Sequence, residues 1–267
     1  THPVTVNGAT FGDTYPVLIA GPCAVESFEQ TLSVAKAVRA AGGKLMRGGA
    51  YKPRTNPHSF QGLGLEGLKI LAEVKKQTGV GIVTEVMDPR LVEQVAEYAD
   101  MLQIGSRSMQ NFPLLTEAGR AHIPVLVKRG WSSTLEERLC AAEYVAKEGN
   151  REIVLCERGI RSSCHWSYAR NLLDLNVIEP VRRSSALPII VDPSHATGLW
   201  SLVEAMSRAA LAAGAHGLLI EVLGGDRSLL QCDAEQGIPW DVLQRIADHI
   251  GRTEVPQMPG LRPQATT

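Results

Sequence analysis

The chain has 267 residues, 44% of them apolar and 21% charged, with a net charge of -1. These are ordinary globular values for a chain long enough for one large domain, and they exclude a disordered or collagen-like protein. They also exclude the global basic field of a nucleic-acid binder, so any anion site must be a local cluster of Lys and Arg. Five cysteines with no C-x-x-C pair argue against a disulfide framework, a zinc ribbon and a thioredoxin motif, and read as the reduced thiols of a cytoplasmic protein. Residues 1–15 show neither the basic region nor the apolar stretch of a signal peptide. No apolar run approaches the roughly 20 residues of a membrane span.

Residues 1–16 alternate around Asn7-Gly8 and predict a small hairpin that caps one end of the domain. Eight short runs follow: 17–20, 44–46, 81–86, 101–104, 125–128, 153–156, 189–192 and 217–222. Most are nearly continuous in Val, Ile and Leu and too short for helices, the pattern of strands buried on both faces of a parallel sheet. Helix-period segments fall between them. One covers 30–41 and one 65–78, and 89–98 opens with Asp88-Pro89 as N-cap and first helical residue. Asn111-Phe112-Pro113 starts another, and Thr134 to Glu137 reads as a capping box feeding the helix to 147. Residues 202–213 end at Gly214, a helix stop, and 239–250 form the last helix. Eight strands alternating with about eight helices predict a (β/α)₈ TIM barrel over 17–252, of the usual length for that fold. An open doubly wound sheet is the alternative, but Gly21-Pro22-Cys23 is no dinucleotide loop. Residues 253–267, rich in Pro and Gln, read as a disordered tail, and there is no second domain.

Active-site residues of such barrels sit at the C-terminal ends of the strands. Reading just past each predicted strand yields two groups. The first is cationic: Lys52, Arg54, Arg107, Lys128 and Arg158, with Arg47 and Arg129 nearby. Around one barrel mouth they would repel one another unless a polyanionic small ligand, with more than one phosphate, binds between them. The second is Cys23, His195, Glu221 and Asp233, a mixed sulfur, nitrogen and oxygen set that suits a divalent transition metal. Each residue taken singly has a structural alternative: Cys23 as a buried hydrophobe, His195 as a helix cap, Glu221 as an ion-pair partner, Asp233 as a surface acid, Lys52 and Arg54 as a solvated face. Glu85 reads as the partner of a cation, and His58, His122 and His165 as structural.

These residues lie in runs that resemble a known family. Gly21-Pro22-Cys23-Ala24-Val25-Glu26-Ser27, Lys52-Pro53-Arg54-Thr55-Asn56-Pro57, Gln103-Ile104-Gly105-Ser106-Arg107, Lys128-Arg129-Gly130, Cys156-Glu157-Arg158-Gly159-Ile160-Arg161 and Asp192-Pro193-Ser194-His195 are similar to those of 3-deoxy-D-arabino-heptulosonate 7-phosphate (DAHP) synthases of the type I-beta group. The likeness runs from about Val17 to Asp233. Lys-Pro-Arg-Thr separates it from the sister 3-deoxy-octulosonate 8-phosphate synthases, which carry Lys-Ala-Asn-Arg there. The resemblance implies a metal-dependent condensation of phosphoenolpyruvate with erythrose 4-phosphate, at the head of the shikimate pathway to the aromatic amino acids. It implies metal ligands Cys23, His195, Glu221 and Asp233 for one divalent Mn, Co, Zn or Fe ion. Arg107, Lys128 and Arg158 would take the phosphoenolpyruvate phosphate, with Arg47 beside them. Lys52 would stand at the reacting centre, and Arg54 and Thr55 would receive the aldose phosphate. Cys23, His195 and Lys52 are the expected catalytic residues, Lys52 as a proton carrier whose pKa neighbouring cations lower. No fused regulatory domain is expected, and such barrels are usually homo-oligomers, dimers or tetramers.

The chain departs from the family at Leu223, where a histidine is usual, at Ser162 to Trp166, at Leu199-Trp200 and at Cys232 and Ala234, which replace Ser and Gly around Asp233. These departures leave open a synthase for another phosphorylated aldose, or a non-catalytic homologue.

Overall fold

A computed structural model of the chain describes residues 1–162, 169–226, 228, 230–232 and 234–257. Cys164, His165, Trp166 and Asp233, and the tail beyond 257, lie outside the described residues.

The first strands, β1 (Val4–Val6) and β2 (Ala9–Phe11), pair antiparallel with Val6 opposite Ala9. The turn between them puts Asn7 and Gly8 at φ 45° and 73°, the left-handed values a two-residue hairpin turn needs. Then come β3 (Val17–Gly21), β4 (Leu45–Arg47), β5 (Gly81–Val86), β6 (Met101–Ile104), β7 (Val125–Lys128), β8 (Ile153–Glu157), β9 (Ile189–Val191) and β10 (Gly217–Glu221). They close a parallel barrel in the order β10-β3-β4-β5-β6-β7-β8-β9. The helices between them are α1 (Phe28–Ala40), α2 (Leu65–Thr78), α3 (Val92–Ala96), α4 (Phe112–Arg120), α5 (Leu135–Ala146), α6 (Ile178–Ser184), α7 (Pro193–Thr197), α8 (Trp200–Ala212) and α9 (Trp240–Ile250).

Side chains alternate along a strand, so each strand contributes two residue sets. Ala20, Met46, Ile82, Leu102, Val127, Leu155, Val191 and Ile220 join the helices in the larger core. Ile19, Leu45, Val83, Met101, Leu126, Val154, Ile190 and Leu219 form a second cluster inside the barrel. Val4, Val6, Ala9 and Phe11 of the hairpin belong to that inner cluster, so the hairpin plugs the barrel from below. Asn7 Nδ2 donates to Lys44 O and Gly79 O (3.1 and 2.9 Å), which pins the plug to the barrel rim.

Moving two residues along each strand from the inner apolar layer reaches Gly21, Arg47, Glu85, Gln103, Lys128, Cys156, Asp192 and Glu221. The period of two thus converts one apolar layer directly into the polar layer above it.

Most predicted elements match the observed ones closely. The capping box of α5 is present, with Thr134 Oγ1 accepting from Glu137 N and Glu137 Oε2 from Thr134 N. Three regions differ. The segment expected as one helix over 89–98 begins as a 3₁₀ turn, Pro89–Leu91, and then forms α3, because Asp88 Oδ1 caps the N–H of Arg90 and tightens the first turn. The short helices α6 and α7 were not expected. Residues 253–257, assigned to the tail, run back onto the hairpin: Val255 is buried, and its N–H donates to Thr14 O at 2.8 Å.

Candidate active site

A cavity of about 380 Å³ opens at the C-terminal ends of the strands, a size for small ligands. Arg47, Lys52, Arg54, Thr55, Arg107, Lys128, Arg158 and His195 all line it. The full lining holds eight Arg and Lys side chains against one carboxylate, that of Glu85. Such a wall favours an anion by Coulomb attraction that water only partly screens.

The floor is a continuous polar chain. Lys128 Nζ donates to Asp192 Oδ2 (2.5 Å), which also meets His195 Nδ1 (2.7 Å). His195 Nε2 lies 3.0 Å from Glu221 Oε1, and Arg47 Nη1 donates to the same oxygen at 2.6 Å. Arg47 Nη2 and Lys52 Nζ each donate to Cys23 O at 3.0 Å, and Lys52 Nζ reaches Cys23 Sγ at 3.3 Å. Burial alone would push the carboxyls of Asp192 and Glu221 up. His195 with Lys128, and His195 with Arg47, outweigh it and hold both well below the usual carboxylate range. The two acids therefore stay ionised and fix the cations around them.

Arg158 is only 5% exposed, and its Nε and Nη1 have no hydrogen-bond partner among the described residues. Burial lowers its pKa against the pull of Asp192. A buried guanidinium with unmade hydrogen bonds is costly, and an anion in the cavity would relieve that cost.

Cys23 Sγ stands 2.8 Å from Cys232 Sγ, and Arg54 Nη1 donates to Cys232 Sγ at 2.9 Å. The hydrogen bond with Cys232 and then burial push the Cys23 thiol well above its ordinary value, so at neutral pH it is a thiol. Glu221, Cys23 and Cys232 share the wall of a small adjoining cavity. Among the described residues no three His, Cys, Asp or Glu side chains already form an ion cage. The donors are instead closed into a sulfur pair and a His195–Glu221 pair.

Three expectations are corrected. Lys52 does not have a lowered pKa: burial acts to lower it, but Cys23 and Cys232 beside the ammonium raise it further, and it is held protonated. Arg129 leaves the mouth for a buried network with Glu157 (3.0 Å) and Asp174 (2.8 Å). Glu85 accepts from Gln103 Nε2 at 3.3 Å and forms no contact ion pair among the described residues, so its effect on a cation is limited to through-space support of the Arg47 guanidinium. That carboxylate fits because residue 105 is glycine, where a Cβ would lie 2.0 Å from Glu85 Oε1.

The lining also includes Trp131, Arg161, Arg170 and Asn171, which strand-end reading missed. They come from loops whose aim is set only by the fold, although Arg161 closes the Cys-Glu-Arg-Gly-Ile-Arg run. Asp192 was read as a strand end and not as the link between Lys128 and His195.

The model of the DAHP synthetase I family matches residues 2–255. The chain belongs to that family. It is 44% identical over 261 residues to a phospho-2-dehydro-3-deoxyheptonate aldolase of Thermotoga maritima, covering 94% of this chain and 76% of that protein. A 2-dehydro-3-deoxyphosphooctonate aldolase of Syntrophotalea carbinolica is 35% identical over 260 residues, 90% of this chain and 91% of that protein. The crystal structure of the Thermotoga maritima DAHP synthase superimposes with a TM-score of 0.89 at 43% identity, covering 94% of this chain and 72% of that one. A truncated form of that enzyme superimposes with a TM-score of 0.85 at 40% identity, covering 94% and 90%.

Membership in the DAHP synthetase I family makes the metal expectation a question for these residues. A thiol, an imidazole and a carboxylate converge on one buried floor, and that donor chemistry fits a divalent transition ion. Leu223, at a family histidine position, lines the small cavity with Cys23 and Glu221. It is an apolar wall there and supplies no donor.

Proposed function

We propose that this enzyme condenses phosphoenolpyruvate with erythrose 4-phosphate to give DAHP and inorganic phosphate. The observation that carries the reading is the cavity whose charged lining is eight Arg and Lys side chains against Glu85, with Arg158 buried beside it and two of its nitrogens unpaired among the described residues. The family match and the Thermotoga maritima relatives support the same chemistry.

In this reading Arg107, Lys128 and Arg158 take the phosphate of phosphoenolpyruvate, with Arg47 holding the floor beneath. Arg54 and Thr55 take the aldose phosphate. The two substrates bring about five negative charges together, and the cations offset their repulsion. The methylene carbon of phosphoenolpyruvate attacks the aldehyde carbon. Water adds to the C2 cation that results and releases a proton that restores the Lys52 ammonium, and phosphate departs from that carbon with its oxygen, carrying the C2 hydroxyl proton and leaving the C2 carbonyl. Lys52, held as an ammonium, gives its proton to the aldehyde oxygen as charge builds there. Cys23, His195, Glu221 and Asp233 would hold one divalent ion (Mn, Co, Zn or Fe), which supplies Lewis acidity toward the aldehyde oxygen. Asp192 keeps the His195 ring turned toward that set.

We place the enzyme in the cytoplasm as a homo-oligomer of two or four copies. The free thiols of Cys23, Cys140, Cys156 and Cys232 support the first part. The stacked, partly exposed rings of Phe112 and Tyr144 support the second. Among the described residues no helix is long and apolar enough to cross a membrane.

The test follows loss of phosphoenolpyruvate with erythrose 4-phosphate, with and without chelator, and identifies the product by mass. Chelator-sensitive loss yielding DAHP is expected, and Lys52→Met should lower kcat by about 100-fold or more. Wild-type turnover in Lys52→Met rejects the proton role. Turnover only with a longer phosphorylated aldose supports the second reading, the activity class named for the more distant, 35% identical Syntrophotalea carbinolica relative.

A further inference from the structure

Trp131 stands in the loop after β7, half-buried at the edge of the cavity. Two guanidinium groups share its indole. The Cζ atoms of Arg107 and Arg161 lie 4.8 and 4.7 Å from the ring centroid. Both distances are within cation–π range. Arg161 is tied to the same residue through the backbone, its N–H donating to Trp131 O at 2.8 Å. On its other side Arg107 Nη2 donates to Thr55 Oγ1 at 3.2 Å. A line of contacts therefore runs from Thr55 through Arg107 and the indole to Arg161.

Two guanidinium groups in contact with one ring repel each other, and the negative face of the ring offsets only part of that repulsion. A dianionic group that meets both cations would offset the rest. The depth of the cations says which anion. Arg158 and Lys128 are buried, whereas Arg161 is exposed at the outer edge. With phosphoenolpyruvate on the inner cations, the cations at the rim are left for the second substrate.

We propose that Trp131 is a positioning residue that holds Arg107 and Arg161 as a paired rim, and that Arg161 contacts the phosphate of the aldose acceptor directly. This rests on the reading of the cavity as a site for phosphoenolpyruvate and a phosphorylated aldose. It adds one direct contact and one positioning group to Arg54 and Thr55, and it makes Arg107 the joint between the two phosphate subsites. The guanidinium of Arg107 serves both contacts at once, over the indole and onto the Thr55 hydroxyl, which a single ammonium point charge does less well.

The experiment compares Arg161→Gln, Trp131→Leu and Trp131→Phe with wild type. Acceptors are erythrose 4-phosphate and erythrose, which lacks the phosphate. Loss of one charge-assisted contact should raise KM for erythrose 4-phosphate about tenfold in Arg161→Gln. KM for phosphoenolpyruvate and kcat/KM for erythrose should stay within about twofold of wild type. Trp131→Leu should reproduce the rise, and Trp131→Phe, which keeps an aromatic face, should recover most of it. An unchanged KM for erythrose 4-phosphate in Arg161→Gln overturns the proposal, and so does an equal loss with erythrose. Identical behaviour of the Leu and Phe variants overturns the role of the ring. If Trp131→Leu does not fold, Arg161→Gln alone decides the direct contact. Calorimetric titration of the phosphoenolpyruvate-loaded protein with erythrose 4-phosphate in the presence of chelator, which arrests condensation, needs no turnover. A wild type that binds about tenfold more tightly than Arg161→Gln supports the rim even if no DAHP forms, and equal affinities reject it.

Discussion

Cys232 bears directly on a single atom, the sulfur of Cys23, which it meets at 2.8 Å. Its sulfur is the largest cause of the raised pKa of Cys23, ahead of burial, so the thiol expected to become a ligand is held in its protonated, less nucleophilic form. Cys232→Ser removes the stronger of these causes. The midpoint of Cys23 ionisation should fall, with faster alkylation at a given pH below it. The rate is read by mass spectrometry on the Cys23 peptide, in a Cys140→Ser background so that the exposed thiol does not compete. An unmoved midpoint would mean that burial alone sets the value. At this scale the sequence is legible for types and not for partners. The cations at strand ends could be named because the barrel rule places them there. That Arg129 turns away toward Glu157 and Asp174, or that Lys52 lies against sulfur, depends on contacts between residues distant in the chain.

Among elements, the strands were legible because they are buried on both faces and therefore nearly continuous in Val, Ile and Leu, which leaves little freedom in their limits. The short helices were not. α7 carries no apolar stripe and is defined by the Asp192 cap, Pro193 and the left-handed Gly198. α6 buries only Ile178 and Val181 and contains Pro180. The join between β9 and β10 shows how an element can depend on one titratable group. His216 Nδ1 accepts from the N–H of Ile189 at 3.1 Å, and His216 N donates to Ile189 O. Burial, and then Arg182 nearby, lower the His216 pKa from 6.5 to about 4. The folded protein therefore favours the neutral ring. Its contribution is complete above about 6.5, declines as pH falls, and is lost once pH passes through about 4. The difference corresponds to about 3 kcal/mol. His216→Asn keeps an acceptor near the same place without a titrating group. Denaturant unfolding across this range should show wild type losing about 3 kcal/mol more than the variant. Parallel pH profiles would assign the acid sensitivity elsewhere.

For the whole molecule, charge is distributed unevenly even though it nearly cancels. The net value is -1, yet one cavity at the barrel mouth collects eight cations. The balance must therefore lie mostly on other surfaces, and anionic substrates meet a directed field. Raising ionic strength from about 0.02 to 0.2 M should lower kcat/KM for phosphoenolpyruvate by roughly three- to tenfold, with kcat much less affected. A flat profile would mean that the mouth does not steer its ligands. The architecture itself was legible from alternation and length, while the loops that carry Trp131, Arg161 and Arg170 to the mouth have no periodicity to read.

The hairpin in the barrel floor has a further consequence. With Phe11 and Val4 filling the lower end, the mouth is the only way in or out of the barrel axis among the described residues. Substrates and products therefore share the cationic mouth, where the arginines that attract an incoming phosphoryl group also face a departing phosphate. The barrel is built like a cul-de-sac, closed by its apolar hairpin and open at its charged end.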